Sequence, residues 1–542
     1  MKQENNLKKQ DTQKRIFIAM LLSFVFFIGY DYLYIQPQQA KYEQQSATST
    51  TSTTSTNQNQ APQIASNDNK NVAPVSKDVA SSEVISTITT NKNIIKIDSF
   101  GRIAQVTLLD KQYITEDGKQ IKLFSLDQLR PLEVRFANRD TNNEAFKTRM
   151  TTSSNVLDAK TNTQTLVLTQ ELSNTTLTKT MKFYPDGHYD IDVKVTNGAE
   201  FFITPGYRPD VLADMYADHG ALLKMNDGTL TIIKDEDIDK TEHFTGVKFA
   251  SAFDRYYATI LYNFQKSLEI SIMPDNNESP QIFIHGKDSI SLSGYAGPKS
   301  HKELSALNPV LTDTIEYGWF TFLAKPMFLL LQFMHDYIGN WGWTIVFVTV
   351  LVKVVLYPLS FKGMVSMNKL KELSPKVKEI QEKYKHDKQK SGAKMMEFYK
   401  KEKVNPMGGC LPMILQVPVF FSIYRVLLNS IELKGAEWIL WIDDLALMDP
   451  YYVLPILMGV TMYLQQLITP NQMQDELQKK LFQFLPVIFT FFFLWFPAGL
   501  TLYWFINNLF TIGQQYYVNT LFKKAKIQRH AEHLSHKHNK KD

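Results

Sequence analysis

The sequence predicts a multi-domain membrane protein: an α-helical transmembrane bundle of six spans joined to an external all-β domain. Three observations lead there. The mean hydropathy of −0.22 hides an asymmetry, because nearly all the long apolar runs lie between Trp319 and Asn519. Those runs, with one more near the N-terminus, approach the roughly 20 apolar residues that a bilayer crossing needs. Between the first run and the others, short alternating apolar and polar stretches broken by turn residues replace helical periodicity. A chain of 542 residues is also too long for one ordinary domain.

Residues 1–15 carry Lys2, Lys8, Lys9, Lys14 and Arg15 and precede the apolar run 16–35, "IFIAMLLSFVFFIGYDYLYI". A cleaved signal peptide has a shorter core and a small-residue cleavage site, so this run is expected to be an uncleaved anchor. Residues 36–92, which include "SATSTTSTTSTNQNQ", offer too few apolar groups to offset ordering entropy and are expected to form a flexible linker. From 93 to 308, segments such as "LTKTMKFYPDGHYDIDVKVTN" predict a large antiparallel β-sandwich, with Asp186-Gly187-His188 as a turn rather than a site. Residues 317–340 place Phe320, Leu323, Ala324, Met327, Leu330, Leu331 and Met334 at helical spacing, and a helix lying in the outer interface is expected.

Five further spans follow at 341–359, 411–433, 451–468, 481–496 and 499–518, the last two joined by the "FPAG" turn. Charge sets their orientation. The N-terminus, the hairpin 360–410 and the tail 519–542 are rich in lysine, and six spans put all three on the cytoplasmic side. The loop 434–450, with Glu437, Asp443, Asp444 and Asp449, then lies outside, and 469–480 is a cytoplasmic loop. Within the hairpin, residues 361–406 hold 13 lysines against 6 acids, a net of about +7 (13 − 6). Two helices, 364–386 and 390–402, are expected to flank the turn "HDKQKSG", with Met367, Leu370, Leu373, Val377 and Ile380 facing Met395, Met396, Phe398 and Tyr399. Its basic face suits anionic lipid headgroups, ribosomal RNA or plain solvent.

The composition excludes several chemistries. A single cysteine, Cys410, rules out an intramolecular disulfide framework. No P-loop, nucleophile elbow, dinucleotide fingerprint or zinc-type spacing appears, so neither cofactor nor metal is expected, and the tail histidines read as solvated. Lys353 stands out inside "VFVTVLVKVVLYPL". An ammonium near mid-bilayer costs about 2.5–3.5 kcal/mol on insertion scales, so it either snorkels to the nearby cytoplasmic boundary or faces a polar interior. Gln416, Thr461, Gln465, Asn507, Asn508, Gln514 and Gln515 also lie within spans and favour a shared polar interior. Arg425 is a second intramembrane cation, directed to the outer interface or to Glu432. No Asp or Glu lies within the core of a span, which argues against a proton or cation carrier. The 16-residue run 481–496 and the prolines Pro412, Pro418, Pro455 and Pro486 predict a thin, kinked bundle.

Four stretches carry a specific resemblance: "KVVLYPL", "YKKEKVNPMGGCLPMILQVPVFFSIYRVLL", "DPYYVLPILMGVTMYLQQ" and "LPVIFTFFFLWFPAGLTLYWFINNLFTIGQQ". Together they resemble the YidC/Oxa/Alb family of membrane protein insertases, and the anchor with its external domain resembles the Gram-negative layout. The resemblance implies a five-helix core around a hydrophilic groove, a periplasmic β-super-sandwich and residence in the bacterial inner membrane. It implies that Lys353 supplies the groove charge, where Gram-negative members usually carry arginine. Thr349, Gln416, Phe420 and Trp504 correspond to groove and substrate-contact positions, the last commonly tyrosine; Asn507, Asn508 and Gln465 are added as polar lining. Implied partners are nascent membrane proteins, the SecYEG/SecDF translocon, the ribosome, the signal-recognition machinery and the phospholipid bilayer. Two other readings remain open here: an anion transporter built on Lys353, and a sugar-binding envelope protein.

Overall fold

The computed structural model describes Val72 and residues 83–538, except 116–117, 126–127, 210, 212–217, 403, 406–410 and 470–475. The expected N-terminal anchor and most of the linker, like Cys410, lie outside the described residues. The chain divides into two compact units at Ile315/Glu316.

The first unit is a β structure. A four-stranded sheet runs Ile103–Leu108, Asn93–Asp98, Val84–Thr89, Val156–Asp158, with the last pairing parallel. The second sheet has 13 strands, and every pairing described within it is antiparallel. Alternation works as expected in Thr176–Phe183 and Tyr189–Val195, where inward residues such as Leu177, Met181, Ile191 and Val193 are buried and their neighbours are not. Between them Gly187 takes φ +90°, so "PDG" is a hairpin turn in which the Tyr184 N–H donates to the His188 carbonyl.

One expectation fails at the start. Val84–Thr89 is a strand inside the segment expected to be linker. Its serine and threonines resemble the tract before it, but five of the six residues of "VISTIT" are β-branched, and the strand buries alternate residues, Ser86 and Ile88.

The second unit is helical: α1 Thr321–Ile338, α2 Trp341–Val355, α3 Tyr357–Lys383, α4 Lys388–Lys401, α5 Leu411–Asn429, α6 Val453–Ile468, α7 Glu476–Phe493 and α8 Ala498–His538. Helix α8 packs along α6 and α2, α7 packs on α6, and α1 packs on α5 and α2. No single described helix is long and apolar enough to cross a membrane; α2 and α3 meet that measure together, bent by 64° at their junction.

The boundaries depart from the expected ones in instructive places. The span expected to run to Leu359 stops at Val355, because Leu356 caps it with its N–H on Val352 O and Pro358 sits in the first turn of α3, where a missing N–H costs nothing. The "HDKQKSG" turn is shorter than expected: Asp387 caps α4 by accepting from Lys390 N at 2.9 Å, so helix resumes at Lys388. Leu370 and Val377 are buried in the hairpin as expected, whereas Met396 points outward. Helix α7 starts at Glu476 and ends at Phe493, and α8 runs on through the tail to His538. The loop 434–450 is held by side-chain hydrogen bonds. Asp449, fully enclosed, accepts from Trp441 Nε1 at 2.9 Å, Tyr451 N at 3.0 Å and Leu454 N at 2.7 Å, and so fixes the start of α6.

Candidate functional site

Helix α2 is placed by its first residues. The Asn340 side chain accepts from Trp343 N at 3.0 Å and donates to Glu437 O at 3.0 Å. Gly342 lets the Trp438 ring approach so closely that an added Cβ would lie 2.1 Å from it. Anchored in this way, α2 turns Thr349 and Lys353, four residues apart, toward its neighbours. Thr349 is buried and spends its hydroxyl on Ile345 O at 2.6 Å, so it adds shape to the site but no free donor.

Lys353 is half-buried and its Nζ donates to Thr511 Oγ1 at 2.9 Å. Thr511 in turn donates to Asn507 O at 2.7 Å, and Asn507 Oδ1 accepts from Gln416 Nε2 at 3.1 Å. A hydrogen-bonded path therefore crosses from α2 through α8 to α5. Thr349, Lys353, Gln416 and Asn507 line one cavity with Ser360 and Tyr503. Its volume of about 20 Å³ holds roughly one water, so the cleft is drawn in by these bonds rather than wide open. Helix α5 carries Pro418 in its interior beside the cavity, and Ser422 Oγ donates to the Pro418 carbonyl at 2.7 Å.

An aromatic wall stands next to the polar residues. The Phe420 and Trp504 rings meet edge to face with centroids 4.5 Å apart, and Phe489 and Phe493 of α7 lie 5.6 and 5.0 Å from Trp504. The other expected members separate from the cleft. Asn508 is buried against α6, with Nδ2 at 3.5 Å from Met458 O, and Gln465 lies on α6 outside the cavity lining. Arg425 approaches Glu316 at 3.9 Å.

Thr511 is the member that sequence reading omitted. Its spacing was a usable signal, since it follows Asn507 by four residues and therefore shares its face. The chemistry of the arrangement is simple. Among the described residues no carboxylate lines the cavity, and the ammonium's described partner is a neutral hydroxyl. A cation desolvated to this degree without a counter-charge attracts anionic or strongly accepting groups. Among the described residues no cluster of His, Cys, Asp or Glu could hold a metal ion.

Comparison with known proteins bears on the whole chain. The family model described as "60Kd inner membrane protein" matches residues 333–526, and one described as "YidC periplasmic domain" matches 86–330. A protein of Campylobacter jejuni named membrane protein insertase YidC is 49% identical over 96% of this chain and 98% of its own length. Proteins with that name from Wolinella succinogenes and Helicobacter pylori are 46% and 41% identical, over 96% and 97% of this chain and 97% and 99% of theirs. The transporter and sugar-binding readings draw no support from these relatives.

Proposed function

From the premise that the chain belongs to the YidC family of membrane protein insertases, proteins of the bacterial inner membrane that insert membrane proteins, we propose that it works through the cleft at Lys353. The hydrophilic flank of an incoming segment replaces the Lys353–Thr511 and Gln416–Asn507 bonds with its own carboxylates and peptide groups. Its apolar part slides out beside α5 and α7 into lipid. Burial of apolar surface, about 25 cal/mol per Å², drives the step without bond-making chemistry, and the membrane potential pulls acidic segments outward. Helix α6, of 16 residues, extends about 24 Å at 1.5 Å per residue against a hydrocarbon core of about 30 Å. Such a helix favours a thinned bilayer, which lowers the barrier that the polar flank meets.

In this reading both termini are cytoplasmic and the β unit is periplasmic. Helix α1 lies in the outer interface, which its exposed Phe322, Phe333 and Tyr337 and its buried Ala324, Phe328 and Leu331 support. The basic α3–α4 hairpin and the tail offer surfaces to the ribosome, the translocon and the signal-recognition machinery.

The observation that carries the proposal is an ammonium held inside a polar cleft by a neutral hydroxyl. A photoreactive residue at Phe420 should capture an arrested nascent membrane protein, whereas one at Leu467, exposed on α6, should not. Equal capture at the two positions would contradict the cleft as the path.

A further inference from the structure

A second cavity, of about 560 Å³, opens between α8 and the α2–α3 junction on a flank that shares no lining residue with the polar cleft. Its character changes along its length. Val346 and Val350 of α2 and Ile506 and Phe510 of α8 form one end. Gln514, Tyr357 and Tyr517 form the other, and Gly513 leaves the space between them open, with nothing within 4 Å of where a Cβ would stand.

Gln514 is the telling residue. Its side chain is 7% exposed, yet neither its Nε2 nor its Oε1 has a hydrogen-bond partner. An amide buried without partners destabilises the fold, and alternative partners are scarce in a hydrocarbon surrounding. A carbonyl presented at the Gln514 end of the crevice removes that cost once the enclosed amide turns toward it about its side-chain torsions.

We propose that the crevice binds one acyl chain of a cytoplasmic-leaflet phospholipid, with its ester carbonyl accepting from Gln514 Nε2. The inference rests on the membrane placement given above. Ile506 to Tyr517 advances 11 residues, roughly 16 Å along α8, which matches one leaflet of a hydrocarbon core about 30 Å thick. The apolar end points toward the bilayer centre, and the two tyrosines stand where aromatic side chains meet the interface. A docking helix fits less well: its carbonyls are bonded within the helix, so its apolar side chains leave Gln514 unpartnered. A lipid tail is apolar over one leaflet and polar at one end, as the crevice is.

The test uses the full chain in phosphatidylethanolamine and phosphatidylglycerol vesicles doped with phosphatidylethanolamine that carries a photoreactive diazirine in mid-chain. After irradiation, label is mapped by peptide mass spectrometry. It should concentrate on Ile506–Tyr517 relative to the exposed α6 face at Tyr463, Leu464 and Leu467. Gly513→Leu, which fills the gap and favours helix, should lower it to that background. Gln514→Leu, similar in volume, should lower it in part. Label spread evenly over both faces, or undiminished in Gly513→Leu, would overturn the site, as would polypeptide captured by a photoreactive residue at Gly513 in place of lipid. Nascent-chain capture at Phe420, run in the same vesicles, separates the two readings. Its loss with the lipid label intact sinks only the polar-cleft path.

Discussion

Each unit encloses a lysine, and the two are treated in opposite ways. Lys179 of the β unit is wholly buried, and its Nζ donates to Gly101 O at 2.9 Å and Leu132 O at 2.8 Å. Around it Asp98 takes Arg102 at 2.8 Å and Arg130 at 2.7 Å, while Glu133 takes Arg102 at 2.9 Å and Arg135 at 2.8 Å. That lysine belongs to a closed network tying strand Thr176–Phe183 to the loops beside the four-stranded sheet. Lys353 has a neutral hydroxyl and a small cavity instead. A satisfied buried charge specifies a fold, whereas an under-partnered one is poised for something that arrives.

The comparison breaks first at Lys179. Lys179→Met strands two buried carbonyls, each costing about 1–3 kcal/mol. Pulse proteolysis of the whole chain should show the β unit strongly destabilised while insertion by surviving protein continues. Loss of insertion without loss of the β unit would reverse the assigned roles. A smaller effect follows from pH. Burial, opposed by Asp98, lowers the Lys179 pKa to about 7 from 10.5. Below about 7 the proton is bound in both folded and unfolded chains and the penalty is constant. Between about 7 and 10.5 the unfolded chain alone keeps it, so folding should strengthen as pH rises, by at most about 1.4 kcal/mol per unit. The same proteolysis at pH 7 and 9 should show that rise, and Lys179→Met should lack it. Smallest is Thr511→Val, which removes one net hydrogen bond worth about 0.5–1.5 kcal/mol. It should leave the unfolding midpoint nearly unchanged while slowing insertion of clients with acidic flanks more than neutral ones. An equal slowing of both would assign Thr511 to packing alone.

The two units were also unequally legible. Period-two alternation announces strands such as Tyr189–Val195 because one face is buried, and apolar runs announce the helices. The strand at Val84 was hidden by its likeness to the Ser/Thr tract before it. In the cleft, Lys353 was visible as a charge in an apolar run, but its partner was not. Gln416 meets Asn507 across 91 residues, and Lys353 meets Thr511 across 158, contacts that depend on how helices rotate in packing. Likewise Asn508 and Gln465 look equivalent to Asn507 in the sequence, but packing turns Asn508 toward α6 and leaves Gln465, on α6 itself, outside the cavity lining.

The most direct measurement reverses the sign at the cleft. Cells depleted of the native protein and supplied with Lys353→Glu, Lys353→Arg or the unaltered chain are pulse-labelled while they make a short membrane protein with an acidic external segment. Lys353→Arg should sustain insertion, and Lys353→Glu, present at equal abundance, should abolish it by repelling the segment it must receive. Normal insertion with glutamate at that position would contradict the account.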